Sequence, residues 1–191
     1  MTQWLDNGKK QEESTYKGGK QEGSFTRWYD NGDKLEEGSY KDGNRDGPYS
    51  QWYVNGKMQE QCTYKNGKEE GPFTRWYDNG NKQEQGFYKD GNRDGPLTQW
   101  YVNGKMQEQC TYKNGKEQGT FIRWYDSGNK QEQSVYKDGS RDGPLTQWYM
   151  NGNKQEQCTY KNGKQQGTYI RWSEDGKKKE TGLYKDGIAS H

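Results

Sequence analysis

Residues 47–70, GPYSQWYVNGKMQEQCTYKNGKEE, hold two strand-forming runs divided by turn signals. Tyr49 to Val54 is rich in aromatic and β-branched residues and predicts a strand. Asn55-Gly56 is a strong short-range hairpin signal, because both residues tolerate positive φ. Lys57 to Lys65 predicts the return strand. Asn66-Gly67 opens a longer turn that closes at Gly71-Pro72, and the next strand starts at Phe73. Proline suits that first strand position, where it forfeits no ladder bond. Helix is disfavoured, since three glycines per segment would each cost roughly 1 kcal/mol in a helix interior.

The same unit recurs along the chain. Trp4, Trp28, Trp52, Trp76, Trp100, Trp124, Trp148 and Trp172 follow one another at intervals of 24 residues, and Tyr16, Tyr40 and their successors to Tyr184 keep the same beat. A fixed period without slippage means one supersecondary unit copied in series. A slower rhythm of 48 residues overlies it: Arg27, Arg75, Arg123 and Arg171 precede tryptophan in alternate copies, and Gln3, Gln51, Gln99 and Gln147 in the others. Cys62, Cys110 and Cys158 occur only in the Gln-Trp type. The expectation is an all-β chain, an elongated single-layer antiparallel meander of eight 24-residue hairpin repeats forming one array over residues 1–191, with degenerate terminal copies. The chain opens and closes within repeat sequence, as a segment of something longer would.

Composition constrains how such a sheet is held. Only 25% of residues are hydrophobic, 30% are charged and mean hydropathy is −1.70. A globule so poor in aliphatic side chains could not offset ordering entropy of ~1–2 kcal/mol per residue. The 15% aromatic content argues against disorder. A repeat sheet held by cross-strand pairs and tight turns reconciles the two. Net charge is +2 with both signs interspersed, which gives no basic stripe for phosphates and disfavours a nucleic-acid partner. No apolar run approaches the ~20 residues of a membrane span, and the first residues do not read as a signal peptide. The odd, widely spaced cysteines cannot bridge within a regular array, and free thiols favour a reducing, cytoplasmic setting.

Register decides which side chains share a face. A two-residue loop would set Trp52 opposite Gln59. A three-residue loop with Gly56 in the left-handed bulge position sets Trp52 opposite Met58. The second arrangement is expected to gather Trp52, Met58, Cys62 and Tyr64 on one side and leave Tyr53, Gln59, Gln61 and Thr63 on the other. Glu60, Glu84, Glu108 and Glu132 would then project beside the lysines of alternate repeats, such as Lys82, and pair with them.

Catalytic and metal chemistry find little support. The only histidine is His191, so histidine-based nucleophile sets are excluded. Asp42-Gly43-Asn44-Arg45-Asp46-Gly47 matches the opening of a calcium loop, yet Tyr53 stands where a bidentate Glu is needed and Arg45 adds positive charge. An Asp/Asn-stabilised turn explains it. No enzyme, cofactor or metal is expected.

The stretch Tyr64-Lys65-Asn66-Gly67-Lys68-Glu69-Glu70-Gly71 resembles the MORN repeat. With Trp76-Tyr77-Asp78-Asn79-Gly80 following, the unit is similar to the MORN-variant repeat of bacteria and protists, a branch with some bacterial members described as antitoxins. The resemblance implies a single-layer antiparallel sheet and roles in protein interaction or scaffolding, with phospholipid contact and dimerisation found among MORN arrays. Trp52-Tyr53-Val54-Asn55-Gly56-Lys57-Met58 also looks like the choline- and glucan-binding repeats of bacterial surface proteins. The expected function is a non-catalytic scaffold for multivalent protein contact, with a self-assembling fibre subunit and a glycan-binding module as alternatives. Trp52, Trp76, Trp100, Trp124 and Trp148, with Tyr64, Tyr88, Tyr112 and Tyr136, are the expected contacts.

Overall fold

The computed structural model describes residues 1–190; His191 lies outside the described residues. Among those residues every regular element is a strand, and successive strands pair antiparallel. The chain divides into two compact units, Met1–Asn92 and the residues from Arg93 onward. Each unit is a meander of hairpins.

The worked repeat shows how the residues dictate the turns. Strand Gly47–Trp52 pairs with Met58–Lys65, and Trp52 stands opposite Met58 after a register shift between Gln51 and Trp52. The Gly56 N–H donates to the Tyr53 carbonyl (2.9 Å), and the Tyr53 N–H donates to that of Lys57 (2.8 Å). Gly56 has φ of 79°, whereas Asn55 stays in the ordinary region and accepts the Lys57 N–H on Oδ1 at 3.0 Å. This is the three-residue loop with a left-handed bulge glycine.

The second turn is tighter than the sequence suggested. Asn66 and Gly67 have φ of 49° and 79°, and Lys65 pairs directly with Lys68. The apparent long loop is a two-residue turn, a short strand Lys68–Glu69 and a break at Glu70 before Gly71–Trp76 resumes pairing. The Gly67 N–H donates to the Arg45 carbonyl (2.8 Å), and the Asn66 N–H to the Asp46 carboxylate (3.0 Å). Asp46 of the calcium-like motif thus braces the next repeat's turn.

A second stitch joins the first turns. The hydroxyls of Tyr29 and Tyr53 donate to the carbonyls of Trp52 and Trp76, each at 2.7 Å. In the second unit Tyr101, Tyr125 and Tyr149 donate in the same way to Trp124, Trp148 and Trp172, at 2.7, 2.8 and 3.0 Å. Ser173 replaces the tyrosine of the following copy, and its hydroxyl donates to Asp175 in its own turn.

One face of each unit is buried. Phe25, Tyr49, Phe73, Leu97, Phe121, Leu145 and Tyr169 recur every 24 residues and are at most 6% exposed. Each large side chain faces a small one across its hairpin: Phe25 faces Gly38, Phe73 Gly86, Phe121 Ser134 and Tyr169 Gly182. Where the large residue is Tyr49, Leu97 or Leu145, the partner is Cys62, Cys110 or Cys158. The cysteines therefore serve as space-fillers, and all three thiols are free. Tyrosines close the row from the neighbouring pair, with ring centroids 4.9 Å apart for Phe25 and Tyr40 and 4.6 Å for Phe73 and Tyr88. Fully burying one such side chain contributes about 1.5–3 kcal/mol.

A methyl group at a small position should be felt. A Cβ on Gly38 would lie 2.9 Å from Phe25 Cε1 and 3.2 Å from the Pro48 carbonyl oxygen. Gly38→Ala is expected to cost about 1–3 kcal/mol in urea unfolding. Adding Phe25→Leu should recover much of the loss, since Leu97 accommodates the larger Cys110. No recovery in the double variant would refute complementarity of volume.

Candidate functional site

The two faces carry different chemistry. On the aromatic face, Arg27 bridges Glu12 (2.9 Å) and Glu36 (2.6 Å), while Arg45 and the Tyr49 hydroxyl both donate to Glu36, at 3.0 and 2.8 Å. Arg75 reaches Glu60, Glu69 and Glu84 at 2.7, 3.1 and 3.0 Å. In the second unit Arg123 pairs with Glu108 (2.8 Å), Arg141 with Glu132 (2.7 Å), and Arg171 with Glu156 (3.5 Å) and Glu180 (3.2 Å). The guanidinium groups also cover the rings, with Arg45 4.3 Å from the Tyr49 centroid. These charged side chains form the lid over the buried row.

The opposite face carries tryptophan and lysine. Lys34 settles the assignment: its ammonium lies 2.7 Å from Glu37, which pairs with Thr26 and Ser50, and 5.7 Å from the Trp52 ring centroid. Glu36, next along the strand, points into the buried network instead. Lys10 sits between Trp4 and Trp28, at 5.8 and 5.7 Å. Lys130 lies 5.8 Å from the Trp148 ring and Lys154 5.6 Å from that of Trp172. Tryptophans from Trp28 onward are half-buried, and Trp4 is 59% exposed.

Two expectations are thereby corrected. Trp52 pairs with Met58 as expected, but it does not share a side with Cys62 and Tyr64. Ordinary alternation puts Trp52 with Ser50 on the other face, and the unpaired Gln59 of the return strand lets Met58 stand opposite it there. Glu60, Glu84, Glu108 and Glu132 remain with the cysteines and pair with arginines rather than lysines. Of the expected contact residues, Trp52, Trp76, Trp100, Trp124 and Trp148 fall on the lysine face, whereas Tyr64, Tyr88, Tyr112 and Tyr136 belong to the aromatic face. Charge is sorted as well: arginines and their glutamates take the aromatic face, while strand lysines stand beside the tryptophans.

Sequence reasoning also missed the buried row, and it named the glutamate column only in part and with the wrong cation. Both were detectable as 24-residue beats, Phe25 to Tyr169 and Glu12 to Glu180, as regular as the tryptophans.

Burial, then the nearby Glu60 carboxylate, pushes the Cys62 thiol up to about 12 from its ordinary 9.0, and burial with Glu108 does the same at Cys110. The hydroxyl of Tyr49 is raised by burial and by its bond to Glu36. Such thiols are poor nucleophiles. Donor atoms of Glu60, Cys62 and Glu69 lie within 4.8 Å of one another, the one potential metal-ligating group among the described residues, but Arg75 already binds both carboxylates.

The repeat geometry has a counterpart among known families. The model of the MORN repeat variant matches residues 21–42, 45–66, 69–90, 93–114, 117–138, 141–162 and 165–186. The chain belongs to the MORN-variant repeat family. MORN repeats are associated with protein or membrane binding and are generally non-catalytic. No curated protein matches this MORN-variant chain. No helix among the described residues is long and apolar enough to cross a membrane.

The unequal faces predict unequal sensitivities. Arg75→Ala removes the cation shared by three carboxylates and should destabilise by about 2 kcal/mol or more. Lys34→Ala, losing one exposed pair, should cost under ~1 kcal/mol by the same denaturant titration. Equal losses would contradict the lid. The thiols predict a pH effect of definite sign. Below pH 9.0 both folded and unfolded thiols are protonated; between 9.0 and about 12 only the unfolded ones ionise, so stability falls as pH rises through that window. Replacing Cys62 and Cys110 by Ala should make the fall measurably shallower, and an unchanged slope would exclude the thiols as its source.

Proposed function

We propose that this MORN-variant chain is a non-catalytic scaffold whose tryptophan–lysine face makes multivalent contacts with protein partners. The carrying observation is the asymmetry of the faces. One is filled by the chain's own rings, arginines and glutamates, while the other presents half-buried tryptophan among exposed Lys, Thr and Gln. Trp52, Trp76, Trp100, Trp124 and Trp148 are the proposed contacts. Tyr64, Tyr88, Tyr112 and Tyr136 act as supports, since ring and guanidinium neighbours occupy them. Repetition lets weak identical contacts sum, because each engaged repeat raises the effective concentration of the next.

The test compares the full chain with two charge-reversed variants, after circular dichroism has shown that each is folded. Lys34→Glu with Lys130→Glu alters the tryptophan face; Lys57→Glu with Lys105→Glu alters the first-turn edge. Partners retained by the native chain should be lost at least ~10-fold from the first variant and kept by the second. Equal retention would reject the face as the working surface. Small-angle scattering over a concentration series supplies the other discriminant: growth of mass with concentration would replace the scaffold by a self-assembling subunit.

A further inference from the structure

We infer that the tryptophan–lysine face of the second unit, from Arg93 onward, binds an acidic polysaccharide, a linear chain of uronate-type sugars. The inference rests on that face being the working surface and names a ligand class for it.

The first support is the sorting of cations. Every arginine, from Arg27 to Arg171, stands on the aromatic face, and those of the second unit lie among rings and carboxylates there. Lysines take the other face. In the first unit part of this charge is neutralised, by Glu13 on Lys10 (2.9 Å) and Glu37 on Lys34 (2.7 Å). From Gln61 to Gln157 the equivalent positions are amides, with Lys82 donating to Gln85 (2.8 Å) in the first unit, and in the second unit they are Gln109, Gln133, Gln157 and finally Thr181, with no acid among them. Lys130 donates to Gln133 at 3.0 Å and Lys154 to Gln157 at 3.4 Å. Among the described residues, no strand position on this face of the second unit carries a carboxylate side chain. The turn pairs Lys113 with Lys116 and Lys161 with Lys164 add exposed ammonium groups. Asp94 and Asp138, the two acids beside these lysines, accept hydrogen bonds from the Asn114 N–H and the Gln118 amide.

The second support is a continuous shallow channel. A depression of about 770 Å³ is lined by Lys113, Lys116 and Lys137 together with Asp94 and Asp138, so cations outnumber carboxylates there, and it shares Thr111 and Gln118 with a neighbour of about 490 Å³. That one shares Thr120 with a third of about 220 Å³, which ends at Trp148 and Lys154. Lysines therefore stand at both ends of a lane whose floor includes Gln109, Gln118, Thr120, Gln133 and Thr146.

The chemistry selects the occupant. Ammonium groups in excess of carboxylates favour an anion. The lane's amides and hydroxyls, which donate and accept, suit a ligand covered in hydroxyls. A single-stranded nucleic acid needs open ring faces for its bases, but the rings of Trp148 and Trp172 each have a lysine ammonium over them. Arginine forks suited to bidentate phosphate recognition are confined to the other face. A polysaccharide with carboxylates at intervals answers both lysine and amide.

The experiment titrates the full chain with polygalacturonate, neutral dextran and poly-dT at low salt, by calorimetry and over a salt series. Polygalacturonate should bind, dextran should not, and log affinity should fall linearly with log salt as counterions are released. Gln133→Glu with Gln157→Glu restores the first unit's charge pattern without disturbing the fold, and should weaken binding ~10-fold or more. Lys130→Gln with Lys154→Gln should do likewise and lower the salt slope by about 2. Lys10→Gln with Lys34→Gln should change affinity less than about twofold. Absence of polygalacturonate binding, equal binding by the second-unit variants, or tighter binding of poly-dT would each overturn the inference. Protein capture that survives such a failure would leave the scaffold intact.

Discussion

A sheet one layer deep has no second layer to bury its face, so the cover must come from its own side chains. Each hairpin answers by setting a large residue against a small one, Phe25 against Gly38 or Leu97 against Cys110, and tilting a neighbouring tyrosine over the pair. The small partner is needed because the cross-strand Cβ atoms stand only ~5 Å apart. Arginine and glutamate then close what the rings leave open. The glutamate column, the position of the cysteines and the glycines that stand outside turns all serve this arrangement.

The lid explains how so polar a chain holds order. Its cations are guanidinium groups, whose planar forks can serve two or three carboxylates at once and also lie on rings. Arg75 does so with three glutamates. Lysine, a point charge on a flexible stem, stays where water reaches it. A net charge of +2 thus results from two faces of different character, a property invisible to any sum over the chain.

Most of the fold was legible, because the repeat period, the Asn-Gly turns and the tryptophan–methionine pairing are local signals. The assignment of faces was not. Counting alternation through a hairpin assumes that every residue advances the pleat, but Gln59, unpaired between Met58 and Glu60, does not. Trp52 can therefore stand opposite Met58 and still lie away from Cys62. That single inversion carried the lysines with it and led Glu60 to be matched with the wrong cation. The candidate surface was half legible for the same reason: the tryptophans were named, but their company was misread. The tightness of the Asn66-Gly67 turn was hidden by Gly71-Pro72, which read as the end of a loop and instead marks a break within one strand line.

The hydroxyls of Tyr29, Tyr53, Tyr101, Tyr125 and Tyr149 point forward, each to the tryptophan carbonyl of the next copy. Each unit therefore has a direction, like a row of arrows rather than a palindrome. Two successive copies make one chemical period, and that period reads differently from its two ends. The two ends of such a row are therefore chemically distinct even where their residues are the same.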